Sequence, residues 1–275
     1  MNKLKTLIIL LLLNHAVVAQ SELDSIFTTN GKLAVNIKEI TEDAVKFSYP
    51  NEDLVNSIYK NTIFNIKHKS GRLEVFNETS SFKPIKGGAD WENVSITRVE
   101  TELKGLFKLE EVTSKATGAT SFSNVNTVKD RAFKKLKIET AMVGGNTVYI
   151  IDQTTNGVRN GGYGADPART NLSGVAYSNA RPNFEEFSTL LNTRNEFSYA
   201  EYHYLGNNST DLETGTPSQE TVILTNPRNE SGFIMVQADI SGENTEEYRV
   251  TYVDNETIIL MYRDKKKVYN IILKR

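Results

Sequence analysis

The sequence predicts an α+β fold in which short β-strands outnumber helices. Apolar and polar residues alternate over much of the chain, as at Leu33, Val35 and Ile37, which is the pattern of strands with one buried face. Residues 127–152 instead follow a helical period, then a Gly-Gly pair, then a β-branched and aromatic run. A helix that leads so directly into a strand belongs to a layered unit, because its apolar stripe must pack on a sheet.

The helix of this segment is the most sharply defined element of the sequence. We expect it to begin at Thr127, because Asp130 three residues later completes a pattern like a capping box. Gly144 suits the left-handed conformation that ends helices, and the strand 147–151 follows. The four lysines of the segment, Lys135 among them, are expected mostly on the other faces. The expected buried stripe consists of Val128, Ala132, Leu136, Thr140 and Val143.

Residues 1–19 have the features of a secretory signal peptide. Two lysines precede an apolar run over 7–13, and Val17 and Ala19 suit positions −3 and −1 of a cleavage site before Gln20. The alternative is an N-terminal membrane anchor, but the apolar run is shorter than the roughly 20 residues that span a bilayer. We therefore expect cleavage and an exported mature chain.

The absence of cysteine limits the chemistry of the chain. Without Cys there is no site for lipid attachment, no disulfide, no thiol catalysis and no Cys-based zinc site. Loss of the two signal-peptide lysines lowers the formal net charge of −2 by two units to −4, which argues against a nucleic-acid partner. No other segment is apolar enough to cross a membrane as a helix. The predicted location is the periplasm or the outer-membrane surface, and the protein is not expected to be a lipoprotein.

Residues 20–78 are predicted to form a small SH3-like or Sm-like β-barrel. Alternation continues through 45–49, and turns at 41–43 and 70–71 separate about five short strands. Residues 79–90 are rich in Ser and Gly and are predicted to be a linker.

Two further units follow. Residues 91–179 are predicted to be a small α/β unit that contains the helix, with a loop over 153–170 before its last strand. Residues 180–275 are predicted to be a short helix, capped by Asn183, and an antiparallel β-meander. The meander is expected to be either a small sandwich or a lipocalin-like half barrel, with a turn at 226–229.

Five short motifs of the central unit form a recurring pattern: a hydrophobic–Gly step, a helix with alanines at intervals, a Gly-x-Asn end, a buried strand and a Gly-x-Ala strand. They lie at Lys104-Gly105-Leu106, Ala132 to Ala141, Gly144-Gly145-Asn146, Val148 to Ile151 and Gly174-Val175-Ala176. In these motifs the unit resembles the α/β domain of the YbjQ-like family and of the sensor lipoprotein of the Rcs envelope-stress pathway. The segment 20–78 is similar to an N-terminal β-module of exported proteins from Bacteroidetes-type bacteria.

The resemblance implies an envelope protein, and YbjQ-like domains carry a heavy-metal-binding description. A metal role is not expected here, because the mature chain has no Cys and only His68 and His203, one in each flanking unit. The disulfides and the lipid anchor of the sensor lipoprotein also have no counterpart in this chain. No cofactor is predicted.

The candidate ligand-binding residues are aromatic and lie mainly in one predicted strand. Aromatic side chains of a β-meander can line a pocket for an apolar or sugar ligand, although core packing explains them equally well. His203, which follows Glu201 in the same predicted strand, is interpreted as an outward or core-edge strand histidine, because no second metal ligand of a suitable type is identified at i±2 or i±4. The candidates are Tyr163, Tyr199, Tyr202, His203 and Tyr204.

Three functions remain in contention. The first is a non-enzymatic exported envelope protein that binds a protein or an envelope component. The second is a carrier of a small apolar or sugar molecule that uses the C-terminal β-unit. The third is an exported hydrolase. The first is preferred, because no spacing of residues typical of a catalytic site is found.

Overall fold

The computed structural model describes residues 23–28, 31–76, 85–157 and 166–275. The α+β prediction is confirmed: within these ranges the chain forms three antiparallel or mixed β-sheets and two α-helices. The predicted signal peptide, 1–19, lies outside the described residues.

The first unit is an open six-stranded antiparallel sheet and not the barrel that we predicted. Its strands are β1 Asp24–Thr28, β2 Gly31–Ile40, β3 Ala44–Ser48, β4 Asn56–Tyr59, β5 Ile63–Lys67 and β6 Leu73–Val75, in the order β4-β3-β2-β1-β5-β6. No pairing is recorded between the described edge strands β4 and β6, so the sheet does not close. Alternation predicted the strands correctly, but it reports only which face is buried and carries no information on whether the last strand pairs with the first.

The second unit is a four-stranded mixed sheet with one helix. Its elements are β7 Ser95–Thr97, β8 Phe107–Thr117, α1 Val125–Met142, β9 Thr147–Asn156 and β10 Arg169–Ser178. The strand order is β7-β9-β10-β8, in which only β7 and β9 are parallel. The two strands that flank the predicted loop 153–170 extend into it from both sides.

Helix α1 begins earlier than we predicted. Its N-cap is Asn124, whose side-chain oxygen accepts hydrogen bonds from the backbone N–H groups of Asn126 and Thr127. Thr127 is therefore an exposed residue of the first turn and not the cap. The end of the helix is as predicted, because Gly144 has a φ of 84°.

The third unit is a helix and an eight-stranded antiparallel sheet. Its elements are α2 Phe184–Thr193, β11 Glu196–Leu205, β12 Glu213–Gly215, β13 Thr221–Ile223, β14 Thr225–Glu230, β15 Phe233–Gln237, β16 Glu247–Val253, β17 Thr257–Asp264 and β18 Lys267–Lys274. The meander prediction is confirmed for β14 to β18, which pair in sequence order, and β18 then pairs with β11. Asn183 caps α2 as predicted. The predicted turn at 226–229 is wrong, because these residues lie within β14: Arg228 and Asn229 pair with β15, and Asn226 and Pro227 form an irregularity in its register.

The eight-stranded sheet curls so that its two edges approach each other. β13 pairs with β11 at one edge, β14 pairs with β15 at the other, and only Leu224 separates them in the chain. The sheet does not close, since no pairing between β13 and β15 is recorded. The side chain of Gln219 spans this seam: Nε2 donates to the carbonyls of Thr221 and Asp239, at 2.6 and 3.3 Å.

Helix α1 lies between the second and third sheets and is buried on two sides. One side packs on the four-stranded sheet, and the other faces the convex side of the eight-stranded sheet, to which Met261 and Val268 belong. Lys135, which we expected on an exposed face, is buried and its Nζ donates to the carbonyls of Gly206 and Asn207. Burial lowers the pKa of this ammonium group.

Polar contacts join the units at several places. Asn270 of β18 is fully buried; its Nδ2 donates to the carbonyl of Met142 at 2.8 Å, and its Oδ1 accepts from the N–H of Gly88 at 3.2 Å. Part of the predicted linker 79–90 is thus packed, with Ile85 in the core shared by the second and third units. The first sheet contacts the rest through the turn near Gly105, where Lys104 Nζ lies 2.5 Å from Asp43 Oδ2.

A partly buried ion cluster also links the second and third units. Arg249 Nη1 lies 2.7 Å from Glu110 Oε2, and Arg263 bridges Glu110 and Glu139, with Nη1 2.9 Å from Glu139 Oε1. Burial raises the pKa of Glu139, and the charge of Arg263 opposes this shift. Because the two carboxylates come from the second unit and the two guanidinium groups from the third, the cluster makes the units one packed body.

Candidate ligand-binding site

A row of five tyrosines crosses the inner, concave face of the eight-stranded sheet. Tyr204 of β11, Tyr269 of β18 and Tyr262 of β17 are direct cross-strand partners, so the ladder register itself stacks their rings. Ring centroids lie 5.8 Å apart for Tyr204 and Tyr269, and 4.6 Å apart for Tyr269 and Tyr262. Tyr202 stacks at one end and Tyr248 meets Tyr262 edge-on at the other. We call these five residues the tyrosine row.

A bulge in β11 makes the row possible. The register of β11 against β18 shifts between Tyr199 and Glu201, which inserts one extra residue, Ala200. Without that residue the strict alternation of a strand would turn Tyr202 and Tyr204 away from the face that carries Tyr199. In the sequence, the bulge is visible in the spacing of the tyrosines, because two residues and not one lie between Tyr199 and Tyr202.

The hydroxyl groups of the row donate to oxygen atoms from neighbouring loops and strands. Tyr204 Oη donates to the carboxylate of Glu213, and Tyr262 Oη donates to the carboxylate of Glu243. Tyr248 Oη donates to the backbone carbonyl of Thr245 at 2.8 Å. Three of the five rings, those of Tyr204, Tyr248 and Tyr262, therefore end in a phenol whose hydrogen is directed at a fixed acceptor.

Burial and charge shift the pKa values of this site. Burial, with a further contribution from the charge of Asp264, raises the pKa of Glu243 above its usual value. Burial and the charge of Glu243 raise the pKa values of Tyr199 and Tyr248 well above the usual range. The hydrogen bond to Glu213 raises the pKa of Tyr204. The phenols of Tyr199, Tyr204 and Tyr248 are thus held in their protonated, hydrogen-donating form.

The structure brings together three of the predicted site residues and separates a fourth. Tyr199, Tyr202 and Tyr204 lie on the inner face, with Tyr199 buried in the core below the row. His203 points to the opposite face; its Nε2 is 3.6 Å from Glu201 Oε2, and its Nδ1 has no recorded partner among the described residues. Tyr163 lies outside the described residues.

The carboxylates at the site could not be found from the sequence. Glu213 lies in the three-residue strand β12, and Glu243 lies in the loop before β16, so neither shares a local pattern with the tyrosines. Tyr252, another tyrosine of the meander, is not part of the row and donates instead to Asp254 at 2.8 Å. Which acidic residue accepts a hydrogen bond from which tyrosine depends on the fold as a whole.

The interior of the curled sheet below the row is filled by side chains. Phe197, Val222 and Leu260 are fully buried there, and Phe187 of α2 packs against them. The accessible part of the site is the rim, where Tyr202, Tyr204 and Tyr269 are partly exposed. The stacked rings cover one another's faces, so the rim presents mainly hydroxyl groups, ring edges and carboxylate oxygens. Such a surface recognises polar groups by hydrogen bonding.

Within the described ranges, no three or more His, Asp or Glu side chains are arranged to hold a metal ion, and no helix has the length and apolarity needed to span a bilayer. Comparison of the chain with protein-family models, with curated proteins and with solved structures finds no match.

Proposed function

We propose that this chain is a non-enzymatic exported envelope protein that acts by binding, with the accessible rim of the tyrosine row as its recognition surface. The observation that carries the proposal is the stacking of Tyr204, Tyr269 and Tyr262, with the hydroxyls of Tyr204 and Tyr262 held on carboxylates. Tyrosine combines a rigid apolar body with a polar tip, and it is enriched where proteins recognise partners. The export of the protein rests on the predicted signal peptide.

The chemistry of the rim favours a polyhydroxylated envelope component, that is, a glycan. A flat apolar ligand needs exposed ring faces, but these faces are already stacked on one another. Glycan hydroxyls both donate and accept hydrogen bonds, and the rim offers carboxylate acceptors at Glu213 and Glu243 beside phenol groups. The central unit's resemblance to an envelope-stress sensor domain is consistent with a ligand of this kind.

The test is direct titration of glycans. Soluble peptidoglycan fragments and lipopolysaccharide polysaccharide should bind the protein in isothermal titration calorimetry, with dextran as the reference glycan. Tyr204→Phe removes the hydroxyl that is held by Glu213 and should weaken the binding by roughly threefold to tenfold. Tyr252→Phe is the matched control, because its hydroxyl lies on Asp254 outside the row. Absence of binding by both envelope glycans, or equal binding by the two variants, would refute the proposal.

No observation favours the other two functions over this one. The carrier hypothesis needs a hollow interior in the C-terminal sheet, whereas Phe197, Tyr248 and Leu260 pack together there. The hydrolase hypothesis needs a partner for His203, whose nearest recorded carboxylate oxygen, of Glu201, is 3.6 Å away.

A further inference from the structure

A second feature, a cleft at the junction of the second and third units, is separate from the tyrosine row. The C-terminus of α1 contributes Val143 and Gly144, and the hairpin between β14 and β15 contributes Gly232 and Phe233. Arg181 enters from the segment that joins β10 to α2. The cleft is open to solvent and small, with a volume of about 20 Å³, which is room for little more than one water-sized group.

Two arginines line this cleft, and they differ in their partners. Arg249 is neutralised by Glu110 at 2.7 Å, and its Nη2 donates to the carbonyl of Val143 at 2.9 Å. Arg181 has no carboxylate and no hydrogen-bond acceptor recorded among the described residues; its guanidinium carbon lies 4.0 Å from the ring centroid of Phe107. Stacking on the ring covers one face of the guanidinium group and leaves its in-plane N–H donors free.

The backbone makes room for this side chain. A Cβ atom at Gly232 would lie 2.4 Å from Arg181 Nη1, so only glycine allows the guanidinium group to occupy this position. Gly232 also has a φ of 87°, which other residues rarely adopt. The half-buried Arg181 is thus held in place by packing, and the site keeps its positive charge without an internal counter-ion.

We propose that this cleft binds a small oxyanion group, a carboxylate or a phosphate, through the free N–H groups of Arg181. The planar fork of arginine matches two oxygens of either group, and a charge-assisted pair of this kind is stronger than a neutral hydrogen bond. Because the cleft is so small, only the oxyanion group itself enters, while the rest of its molecule stays outside. The nearby Glu110 does not compete, because it is paired with Arg249 and Arg263.

Titration followed by NMR tests the site. Sodium acetate and inorganic phosphate are added separately to the ¹⁵N-labelled protein at constant ionic strength, and the amide signals of Gly232 and Phe233 are followed. We expect saturable shifts with at least one of the two anions; a preference for acetate or for phosphate identifies the group that the site takes. Arg181→Gln should weaken the binding by roughly tenfold or abolish it. Arg181→Lys, which keeps the charge but not the fork, should bind more weakly than the wild type.

Arg194→Gln is the matched control, because Arg194 also lies over an aromatic ring, Phe197, but outside the cleft. This variant should titrate as the wild type does. The proposal is overturned if neither anion gives a saturable shift at Gly232 in the wild type, or if Arg181→Lys and a folded Arg181→Gln show the same shifts as the wild type. The wild-type titration decides the matter even where the Arg181→Gln variant fails to fold.

Discussion

At the scale of single residues, Glu243 combines a raised pKa with a hydrogen bond to Tyr262 of the tyrosine row. It accepts the hydroxyl hydrogen of Tyr262, and it is partly removed from water at the rim of the curled sheet. Burial and the charge of Asp264 both disfavour its ionised form, so its pKa is raised. Its charge also acts on Tyr199 and Tyr248. The protonation of one carboxyl group is therefore coupled to the stability of this rim.

We predict that Glu243→Gln stabilises the protein at pH 8. A carboxyl group whose pKa is raised by folding contributes stability below the unfolded pKa of about 4.3 and loses that contribution as the pH rises through the folded pKa. The ionised group therefore opposes folding at pH 8, and glutamine removes the charge while keeping an acceptor for Tyr262. Chemical denaturation at several pH values should show an advantage of the variant at pH 8 that shrinks towards pH 4.

Glu246→Gln is the control for this prediction, because it removes the same charge from the same loop at an exposed position. Its effect on stability should be small and should depend little on pH. Parallel curves of stability against pH for the wild type and Glu243→Gln would contradict the assignment of the raised pKa to Glu243.

At the scale of elements, the sequence offers two possible N-cap residues for α1. Asn124 and Thr127 are both good capping residues, and they stand three positions apart. The structure selects Asn124, which allows Val125 to join the helix and to pack against the shared core. The helix is therefore most of a turn longer than the sequence predicted, and the added Val125 side chain is partly buried.

We predict that Asn124→Ala destabilises the protein by about 1 kcal/mol, because the N–H groups of Asn126 and Thr127 lose their acceptor. Thr127→Ala should have a much smaller effect, since the Thr127 side chain is exposed in the first turn. Equilibrium unfolding in urea measures both changes. A larger loss for Thr127→Ala than for Asn124→Ala would place the helix start where the sequence alone predicted it.

Features that depend on neighbouring residues could be predicted from the sequence, whereas features that depend on contacts between distant segments could not. The positions of β15 to β18, the cap of α2 and the Gly144 stop depend on neighbouring residues, and the sequence predicted them. Barrel closure, the burial of Lys135 and the pairing of Glu213 and Glu243 with tyrosines depend on contacts between distant segments. The sequence suggested Tyr202 and Tyr204 as site residues, but it did not distinguish His203, because the orientation of each residue depends on the bulge at Ala200.

At the scale of the whole molecule, the partly buried ion cluster and the shared core make the second and third units interdependent. Helix α1 contacts both sheets, and Glu110 of β8 is bound by arginines from β16 and β17. The first sheet, by comparison, has a core of its own, which includes Ile26 and Val45. We therefore expect the second and third units to unfold together and the first sheet to unfold separately.

Glu110→Gln tests this expectation. Removal of one partner leaves the partly buried Arg249 without its counter-charge and should cost about 2 kcal/mol. Hydrogen exchange followed by mass spectrometry should show faster exchange in both α1 and β15–β18, with β1–β6 unchanged. Glu230→Gln, which removes an exposed partner of Arg228, should leave the pattern of exchange as in the wild type. Loss of protection in only one of the two units would contradict the interdependence.

The single residue that joins β13 to β14 has a consequence for the behaviour of the protein at high concentration. An open sheet exposes unpaired backbone groups on its outermost strands, and such groups can recruit the same strands of other molecules into fibrils. Here residues 221–230 contribute β13, which pairs with β11 at one edge of the sheet, and β14, which pairs with β15 at the other edge. Only Leu224 separates these two strands in the chain, so the two edges lie beside each other. An incoming strand would have to displace the side chain of Gln219, which bridges the two sides. The chain thereby protects the edges of its largest sheet against self-association without completing a barrel.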